Sequence, residues 1–442
     1  MSQPGPKVII VGAGISGIKA AVDLKSNGVD VLILEGRDRI GGRLVATNET
    51  SVSLDLGASW FHRVPNNVLY EKVINKEYKS NVEFAFDDSN VKIMANSVNL
   101  LPFWEFVKMQ LQDDTLRNFV YKYLQTANLD EVDTQDFIKF VRGTSEIGGA
   151  GNWCYMSGKN AIPPSENQGR DAFVTSTYAD ILQQEASQLD SYQLIKSAKV
   201  TEIIKETASS TYTVKTKSGV TYSADYVIVT VPLGVLKSDD ILFTPPLPAS
   251  ISNQLNKVQM GNIAKVIFEF DTVFWDKTVD KWLLFPETHP EKGNKFGQLP
   301  LGYEPSSKEF TALVCNIFKS KGAKILVTLV SAPIALYIEA HPQEAWNLLR
   351  PMYSQISACK ESEIPKPIKQ VVTSWSLDPF SKGSISATGP DDIPLIKEFI
   401  QGVGKLRFAG EHTSDVARTQ AHGAYLTGQR EASFVIRDIN KC

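Results

Sequence analysis

The feature that most constrains the fold is a glycine pattern near the N-terminus, G-x-G-x-x-G at residues 12–17. It follows residues 7–11, a short apolar run typical of a strand that is buried on both faces. A helical stretch comes next and ends before Asn27, and a second apolar run, residues 31–34, leads to Glu35. A strand, a glycine turn, a helix and a strand that ends in an acidic residue predict a parallel sheet with a dinucleotide-binding turn.

Each part of this unit has its own physical task. Gly12 permits the tight turn, Gly14 lets the backbone approach a pyrophosphate, and Gly17 lets the helix pack closely against the strand. The start of the helix offers free N–H groups and a positive dipole end to the phosphates. Glu35 lies about 20 positions after the last glycine, where an acidic side chain accepts hydrogen bonds from the ribose hydroxyls.

Length and charge limit the class of protein. A chain of 442 residues suggests about three domains, or two of which one is interrupted. Lysine and arginine total 46 and aspartate and glutamate total 49, so the net charge is −3 and there is no basic footprint for a nucleic acid. The four cysteines are scattered, and the five histidines include no pair at the spacing of a helical zinc site. We therefore expect neither a disulfide framework nor a bound metal.

The sequence also predicts where the protein works. The longest apolar stretch, residues 325–338, contains Pro333 and is shorter than the roughly 18 residues that a membrane span needs. No signal-peptide core precedes the first strand. We therefore expect a cytoplasmic protein without a membrane partner, and the oligomeric state is left open.

Further segments have the patterns of strands. Residues 212–216 and 220–222 alternate around a Ser-Gly turn and predict a hairpin. Residues 226–231 are typical of a buried strand, and residues 265–270 of a half-buried one. Residues 407–430 return to a strand, a loop and a helix.

Residues 35–43 resemble the second fingerprint of the glutathione-reductase-like flavoproteins, and especially of the flavin amine oxidase family. The resemblance extends over nearly the whole chain and is greatest to the yeast-type polyamine oxidases. The segments that carry it are residues 55–60, 84–88, 200–203, 225–232, 261–270, 374–375, 378–383, 407–413 and 423–428.

The resemblance implies an α/β fold with two interleaved parts. One is a glutathione-reductase-like FAD-binding Rossmann domain, expected to comprise residues 1–80, 190–240 and 370–442. The other is an α+β substrate domain, a mixed sheet flanked by helices, expected to comprise residues 81–189 and 241–369.

The resemblance also implies the chemistry. We expect an FAD-dependent oxidase that takes a hydride from spermine, spermidine or an N-acetylpolyamine to flavin N5, reduces O2 to H2O2 and releases an imine for hydrolysis. Ser384 stands where some relatives attach flavin through a cysteine, so the FAD is expected to be non-covalent. The residues implied to bind FAD are Gly12, Gly14, Ile15, Ser16, Gly17, Glu35, Gly36, Arg37, Gly42, Arg43, Gly57, Ala58, Ser59, Trp60, Val200, Trp375, Gly410, Glu411, Ala421 and His422.

Lys265 is the expected catalytic residue. In the family, a lysine at this position holds a water against flavin N5 and assists reoxidation by oxygen. An inward-pointing lysine on a half-buried strand also costs free energy unless it is paired or functional. The resemblance implies that the substrate touches His62, Glu146, Trp153 and Tyr425.

The substrate remains open at this point. Many relatives sandwich the reacting amine between two aromatic side chains, and the matching positions here are Ile385 and Gln420. The alternatives are a monoamine or L-amino-acid oxidase, a desaturase or protoporphyrinogen-type oxidase, and a non-catalytic flavin-binding sensor. A histone demethylase of this fold carries a long coiled-coil insertion, and no sustained heptad run interrupts this chain.

Overall fold

The computed structural model describes residues 6–79, 82–163, 169–207, 209–287, 299, 302–390 and 396–441. In chain order, the strands are β1 Lys7–Val11, β2 Asp30–Leu34, β3 Ala46–Thr47, β4 Leu54–Asp55, β5 Trp60–Phe61, β6 Phe84–Ala85, β7 Val91–Met94, β8 Ala172–Val174, β9 Leu194–Ile195, β10 Val200–Lys205, β11 Tyr212–Thr216, β12 Thr221–Ala224, β13 Tyr226–Val229, β14 Leu242–Thr244, β15 Gln259–Gly261, β16 Ile263–Glu269, β17 Lys281–Leu284, β18 Ala312–Asn316, β19 Ile325–Ser331, β20 Lys369–Val372, β21 Ile385–Ala387 and β22 Leu406–Phe408. The helices are α1 Ile15–Ser26, α2 Val68–Ile74, α3 Leu101–Met109, α4 Leu116–Leu124, α5 Glu131–Ser145, α6 Tyr178–Ala186, α7 Leu233–Leu236, α8 Ala249–Leu255, α9 Ile317–Lys321, α10 Ile334–Ala340, α11 Ala345–Tyr353, α12 Ile396–Gln401 and α13 Ala421–Ile439.

The first unit lies in a five-stranded parallel sheet of order β22-β13-β1-β2-β9. Successive side chains of a strand point to opposite faces, and β1 shows this clearly. Val8 and Ile10 pack into the apolar cluster beneath α1 and α13, whereas Ile9 and Val11 pack against the neighbouring sheet. The strand is therefore buried on both faces, as its continuous apolar run predicts.

The neighbouring sheet covers the second face and has the order β12-β11-β10-β14. The predicted hairpin is β11 and β12, which pair antiparallel, and β14 runs parallel to β10. Val200, Ile203 and Val214 point from this sheet toward Ile9 and Val11. This contact places Val200 beside the glycine turn that follows β1.

A six-stranded mixed sheet, β20-β16-β19-β18-β17-β7, forms the second large layer. Its neighbours are antiparallel except β17 and β7. On β16, Ala264 and Val266 face the apolar cluster under α10 and α11, whereas Lys265 points to the opposite face. The alternation of this strand thus decides that the lysine turns away from α10 and α11.

Two smaller units complete the architecture. β5, β8 and β6 form a three-stranded antiparallel sheet, and α3, α4 and α5 enclose an apolar cluster that contains Phe103, Phe119 and Trp153. Among the helices of the described ranges, none combines the length and the apolar character needed to cross a membrane.

The α/β fold class and its mixed sheets flanked by helices are confirmed. The division into two domains stays a prediction, and three elements associate across its segment boundaries. β14 lies in 241–369 but pairs with β10, β20 begins at Lys369 and pairs with β16, and α6 lies in 81–189 but packs on α1. The predicted domain boundaries were placed at loops in the sequence. The layer that an element joins depends instead on its pairing or packing with segments that are distant along the chain.

Candidate active site

A cavity of about 1340 Å³ opens at the carboxyl ends of β1 and β2. This edge of a parallel sheet is where doubly wound folds bind their ligands, because the helix N-termini also point there. Elements from both large layers line it, including the turn after β1, the loop after β4, β16, β21 and the start of α13.

The three glycines of the turn are required for three different reasons. Gly12 has φ +109°, and a Cβ there would lie 2.7 Å from Thr230 Oγ1. A Cβ on Gly17 would lie 2.1 Å from the carbonyl oxygen of Gly12, so only glycine permits α1 to approach the strand. A Cβ on Gly14 would meet no atom within 4 Å, and Gly14 lines the cavity. The backbone at Gly14 is therefore open to a ligand.

Glu35 holds the turn as well as lining the cavity. Its Oε2 accepts a hydrogen bond from Ala13 N at 2.7 Å and its Oε1 accepts one from Arg37 N at 2.8 Å. The carboxylate thus connects the end of β2 to the glycine turn. Each oxygen keeps a second lone pair for a hydroxyl donor.

Two cations of the second fingerprint are held by carboxylates from the C-terminal part of the chain. Arg37 Nη2 donates to both oxygens of Asp378, at 2.9 and 2.8 Å. Arg43 Nη1 donates to Ser384 O at 2.8 Å and to Glu411 Oε1 at 3.0 Å. Burial by itself raises the pKa of Glu411, but the charge of Arg43 and its hydrogen bonds hold that pKa below its usual value.

Lys265 is buried beneath the loop that follows β4, with 6% of its surface exposed. Its Nζ donates to Asp55 O at 2.9 Å, to Gly57 O at 2.5 Å and to Ser59 Oγ at 2.5 Å. A Cβ on Gly57 would lie 1.7 Å from Arg43 O, so this loop cannot carry a side chain there. The loop is consequently pressed between the second fingerprint and the lysine.

The protonation of Lys265 is affected by its surroundings. Burial lowers the pKa of Lys265 from its usual 10.5 to about 8, although the charge of Asp55 opposes the shift. Burial also raises the pKa of the Asp55 carboxyl to about 7, against the opposing charge of Lys265. The lysine therefore changes charge close to physiological pH.

Trp60 and Trp375 line the cavity on either side of this loop. Trp60 Nε1 donates to Asp87 Oδ2 at 2.8 Å, and Lys281 Nζ lies 2.9 Å from the same oxygen. Trp375 Nε1 donates to Leu56 O at 3.2 Å. Hydrogen bonds at the ring edges thus fix both indoles in place.

His62 and Asp171 form a pair at the end of the three-stranded sheet. In the register of β5 and β8, Phe61 lies opposite Ala172, so the next residues outward, His62 and Asp171, meet. His62 Nδ1 lies 2.7 Å from Asp171 Oδ2, and Arg63 N donates to Asp171 Oδ1 at 2.9 Å. Burial tends to raise the pKa of Asp171, but the hydrogen bond and charge of His62 leave it lowered.

The cavity brings together most of the residues predicted from the sequence. Lys265, His62 and all the predicted FAD-binding residues except Gly17 and His422 line it. Gly17 acts through packing, as expected for the third glycine. The His422 side chain is instead buried beside Asn67, whose Nδ2 lies 3.1 Å from His422 Nδ1.

Two predicted substrate contacts, Glu146 and Trp153, lie at the helical cluster and not in the wall of the cavity, and their contact with a substrate stays a prediction. Glu146 is buried and accepts a hydrogen bond from Arg142 Nε at 2.9 Å, one helical turn earlier. Trp153 is buried in the same cluster, with the guanidinium carbon of Arg142 5.6 Å from the centre of its ring. Neither side chain lines the cavity. Both stabilise the packing of α5.

Tyr425 is the third predicted substrate contact that the structure places outside the cavity wall. On α13, Ala421 and Ala424 line the cavity, whereas Tyr425 is buried on another face of the helix. Its hydroxyl accepts a hydrogen bond from Lys72 Nζ at 3.1 Å, and its ring packs in the cluster with α1. The rotation of α13 therefore turns the phenol away from the cavity.

Sequence reasoning missed Asp171 as the partner of His62, and it also missed Glu339. Glu339 Oε1 accepts from Trp375 N at 2.9 Å, and its Oε2 accepts from Ser376 N at 2.8 Å. No local signal marks either carboxylate, because each acts on a residue far away along the chain. Only the strand register and the packing of α10 reveal them.

Comparison with known protein families shows to which family a chain with this cavity belongs. The model of the flavin containing amine oxidoreductases matches residues 15–146 and 164–436. The chain belongs to this family. The matched ranges begin just after Gly14 of the glycine turn and include α1, the loop after β4, β16, β21 and the start of α13.

Several relatives match the amine oxidoreductase over most of their own length. A corticosteroid-binding protein of Candida albicans (strain SC5314) is 30% identical, over 98% of this chain and 96% of that protein. Polyamine oxidase 4 of Oryza sativa subsp. japonica is 27% identical, over 96% of this chain and 87% of that protein. Lysine-specific histone demethylase 1 homolog 3 of Arabidopsis thaliana is 27% identical over 97% of this chain, but only over 30% of its own length.

Membership of the family implies a flavin cofactor, which in this family is normally FAD. The residues present fit this group. The open backbone at Gly14 and the first turn of α1 suit a pyrophosphate, and Glu35 offers acceptors to a ribose. Val200 lines the wall next to this turn, and Lys265 lies at the loop of residues 55–59. Non-covalent attachment, expected from Ser384, stays a prediction.

Proposed function

We propose that this amine oxidoreductase is a polyamine oxidase. The substrate is spermine, spermidine or an N-acetylpolyamine, and the reaction breaks a C–H bond next to a secondary nitrogen. Bound FAD supplies the hydride acceptor, and O2 takes the two electrons and two protons to become H2O2. The imine takes up water and separates into an aminoaldehyde and a shorter amine.

The observation that carries the proposal is a group of three carboxylates in the wall of the same cavity as Lys265. Asp87, Asp88 and Asp171 all line it, together with the indole of Trp60. Carboxylates and aromatic faces attract ammonium groups. Relatives from Oryza sativa, Arabidopsis thaliana and Zea mays are named polyamine oxidases, which supports the same substrate class.

Each of these carboxylates already has a basic neighbour, so a polyamine must compete for it. Asp88 pairs with Arg170, and their side chains are 37% and 54% exposed. Pairs this exposed contribute little to stability, because water screens them. An ammonium of the substrate can therefore take the place of Arg170 at small cost in free energy.

His62 is suited to receive the proton of a substrate ammonium. With Nδ1–H donated to Asp171, the neutral imidazole has an unprotonated Nε2. The reacting nitrogen must lose its proton before hydride leaves the adjacent carbon. Asp171 stabilises the imidazolium that forms when Nε2 takes that proton.

Lys265 holds protons at Nζ next to the loop of residues 55–59. In its charged form, all three N–H bonds point to acceptors of this loop. In its neutral form, Nζ has two N–H bonds and one lone pair, which can accept a hydrogen bond from a water. A lysine that changes charge near pH 8 can therefore exchange protons during the oxygen reaction.

The test is an anaerobic titration of the purified holoprotein, followed by the visible absorbance of oxidised flavin. The probes are spermine, spermidine, N-acetylspermine, benzylamine, L-amino acids and an Nε-dimethyl-lysine peptide. We expect only the polyamines to bleach the flavin, and one H2O2 to form per amine oxidised once air is admitted. Bleaching by the peptide, an amino acid or benzylamine alone would overturn the polyamine proposal.

A corticosteroid serves as a further probe, because one relative is named for binding this class of ligand. A corticosteroid has no amine to oxidise. Absence of bleaching by every amine, combined with a corticosteroid-induced spectral shift, would replace the oxidase proposal with a binding function. The cytoplasmic location stays a prediction and is checked by fractionation.

A further inference from the structure

Asn67 lies at a junction of three elements that border the cavity. It is the residue before α2 and is 2% exposed. Its Oδ1 accepts hydrogen bonds from Leu69 N at 3.1 Å and Tyr70 N at 3.2 Å, which caps the helix. Its Nδ2 lies 2.9 Å from His62 O and 3.1 Å from His422 Nδ1. Both ends of the amide are thus engaged.

These contacts define the state of the His422 ring. An amide NH2 group only donates, so His422 Nδ1 must be the acceptor and its proton must lie on Nε2. Burial, together with the neighbouring His62 and Arg63, lowers the pKa of His422 to about 4, against the opposing charge of Asp171. The ring therefore remains neutral at pH 7 and can keep accepting from Asn67.

The junction connects two parts of the cavity wall that face different reactants. His62 lies on the side of the carboxylates, and His422 follows Ala421, the cavity-lining first residue of α13. Arg63, the residue after His62, has φ +54°. A residue other than glycine keeps this left-handed conformation only when the surrounding structure holds it. Asp171 holds this loop from one side and Asn67 from the other.

We propose that Asn67 is a positioning residue that sets His62 at a fixed distance from the start of α13. The proposal rests on the proposed function, because it assigns His62 to the substrate and the start of α13 to the flavin. A helix cap alone would need only the side-chain oxygen, which serine and aspartate supply as well. The two Nδ2 hydrogen bonds are what only asparagine adds here.

The experiment therefore compares two variants that keep the cap and lose the donors, Asn67→Ser and Asn67→Asp. Each is prepared as the holoprotein and assayed for flavin content, urea unfolding and anaerobic flavin reduction by spermine. We expect flavin content to match the wild type, and flavin reduction to slow about tenfold in both variants because His62 is no longer held in its productive position.

A second readout needs no substrate. The protein has five histidines, so labelling their ring carbons with ¹³C gives a small set of ring signals among which that of His422 can be followed. In Asn67→Asp, the introduced carboxylate faces His422 Nδ1, so the proton should move from Nε2 to Nδ1 and the pKa of His422 should rise. An unchanged His422 tautomer in this variant would mean that the side chain of residue 67 does not contact the ring, which would overturn the proposal.

The outcomes separate the two proposals. If the wild type reduces no flavin with any polyamine, the proposed function fails regardless of the variants. If the wild type is active and Asn67→Ser reduces flavin at the wild-type rate, Asn67 is only a helix cap and this proposal is overturned. If Asn67→Ser does not fold, Asn67→Asp provides the same comparison through its rate and its His422 titration.

Discussion

At the scale of single residues, the surroundings of Lys265 determine how the protein responds to pH. Its pKa is lowered to about 8, so Nζ is mostly charged below this value and mostly neutral above it. Replacing it with methionine removes both states but keeps an unbranched side chain of similar length. The change therefore separates the proton chemistry of Nζ from the filling of the space.

We predict that Lys265→Met slows flavin reduction or reoxidation without releasing FAD. The wild-type pH dependence with a midpoint near 8 should be absent in this variant. Stopped-flow measurements of both half-reactions between pH 6 and 10 check the prediction, with that range chosen about two units on either side of the midpoint. Lys369→Met, on the neighbouring β20 with a 46% exposed side chain, is the matched control. Unchanged rates and pH profiles in Lys265→Met would remove the lysine from the chemistry.

Glu35 is expected to affect both cofactor retention and folding. Glu35→Ala leaves the buried N–H group of Ala13 and the partly buried N–H group of Arg37 without their acceptors. Such a loss costs about 2 kcal/mol of unfolding free energy. FAD affinity should also fall, because the glycine turn loses its connection to the end of β2. Urea unfolding of the apoprotein measures the loss of unfolding free energy, and an FAD titration measures the loss of FAD affinity. Full flavin occupancy of the variant at low FAD would contradict the predicted loss of affinity.

At the scale of elements, α5 determines where the side chain of Glu146, a predicted substrate contact, is placed. Arg142 and Glu146 lie one turn apart and pair in the apolar cluster of α3, α4 and α5. Removing one partner of a buried ion pair leaves a charge without compensation. The pair therefore influences folding rather than the substrate.

We expect Glu146→Ala to lower the unfolding free energy by about 3 kcal/mol. The KM for spermine should stay at the wild-type value, because Glu146 does not line the cavity. Thermal unfolding and steady-state kinetics test the two halves of the prediction. A raised KM at unchanged stability would restore Glu146 as a substrate contact.

At the scale of the whole molecule, the cavity walls come from segments across nearly the full chain. Arg43 and Glu411, which bond across the cavity wall, are 368 positions apart. A ligand that binds only the folded state stabilises it by about 4 kcal/mol at a thousand times its Kd. FAD should therefore stabilise all the layers that contribute to the cavity.

Removing FAD is predicted to lower the thermal midpoint of the protein, and adding excess FAD should restore it. Scanning calorimetry of the holoprotein, the apoprotein and the reconstituted protein makes the comparison. Riboflavin, which lacks the pyrophosphate and adenosine, is the control ligand. Equal midpoints with and without FAD would contradict the prediction, because a ligand that binds only the folded state must raise its thermal midpoint.

The sequence by itself determined the features whose parts are contiguous. The first strand, the glycine turn, α1 and Glu35 form one local unit, and each glycine is required by the backbone at its own position. The pattern of β16 likewise predicted a strand that carries Lys265, although the prediction of a half-buried strand was wrong, since both of its faces are buried. These elements could be located because their patterns repeat over short distances.

Only the tertiary structure decided which side chains face the cavity. Glu146 and Trp153 turn into the helical cluster, Tyr425 and His422 lie on the far side of α13, and His62 meets Asp171 from 109 positions away. The direction in which a side chain points depends on the rotation of its helix and the register of its strand. Both are set by packing against distant segments, whose positions no local pattern contains.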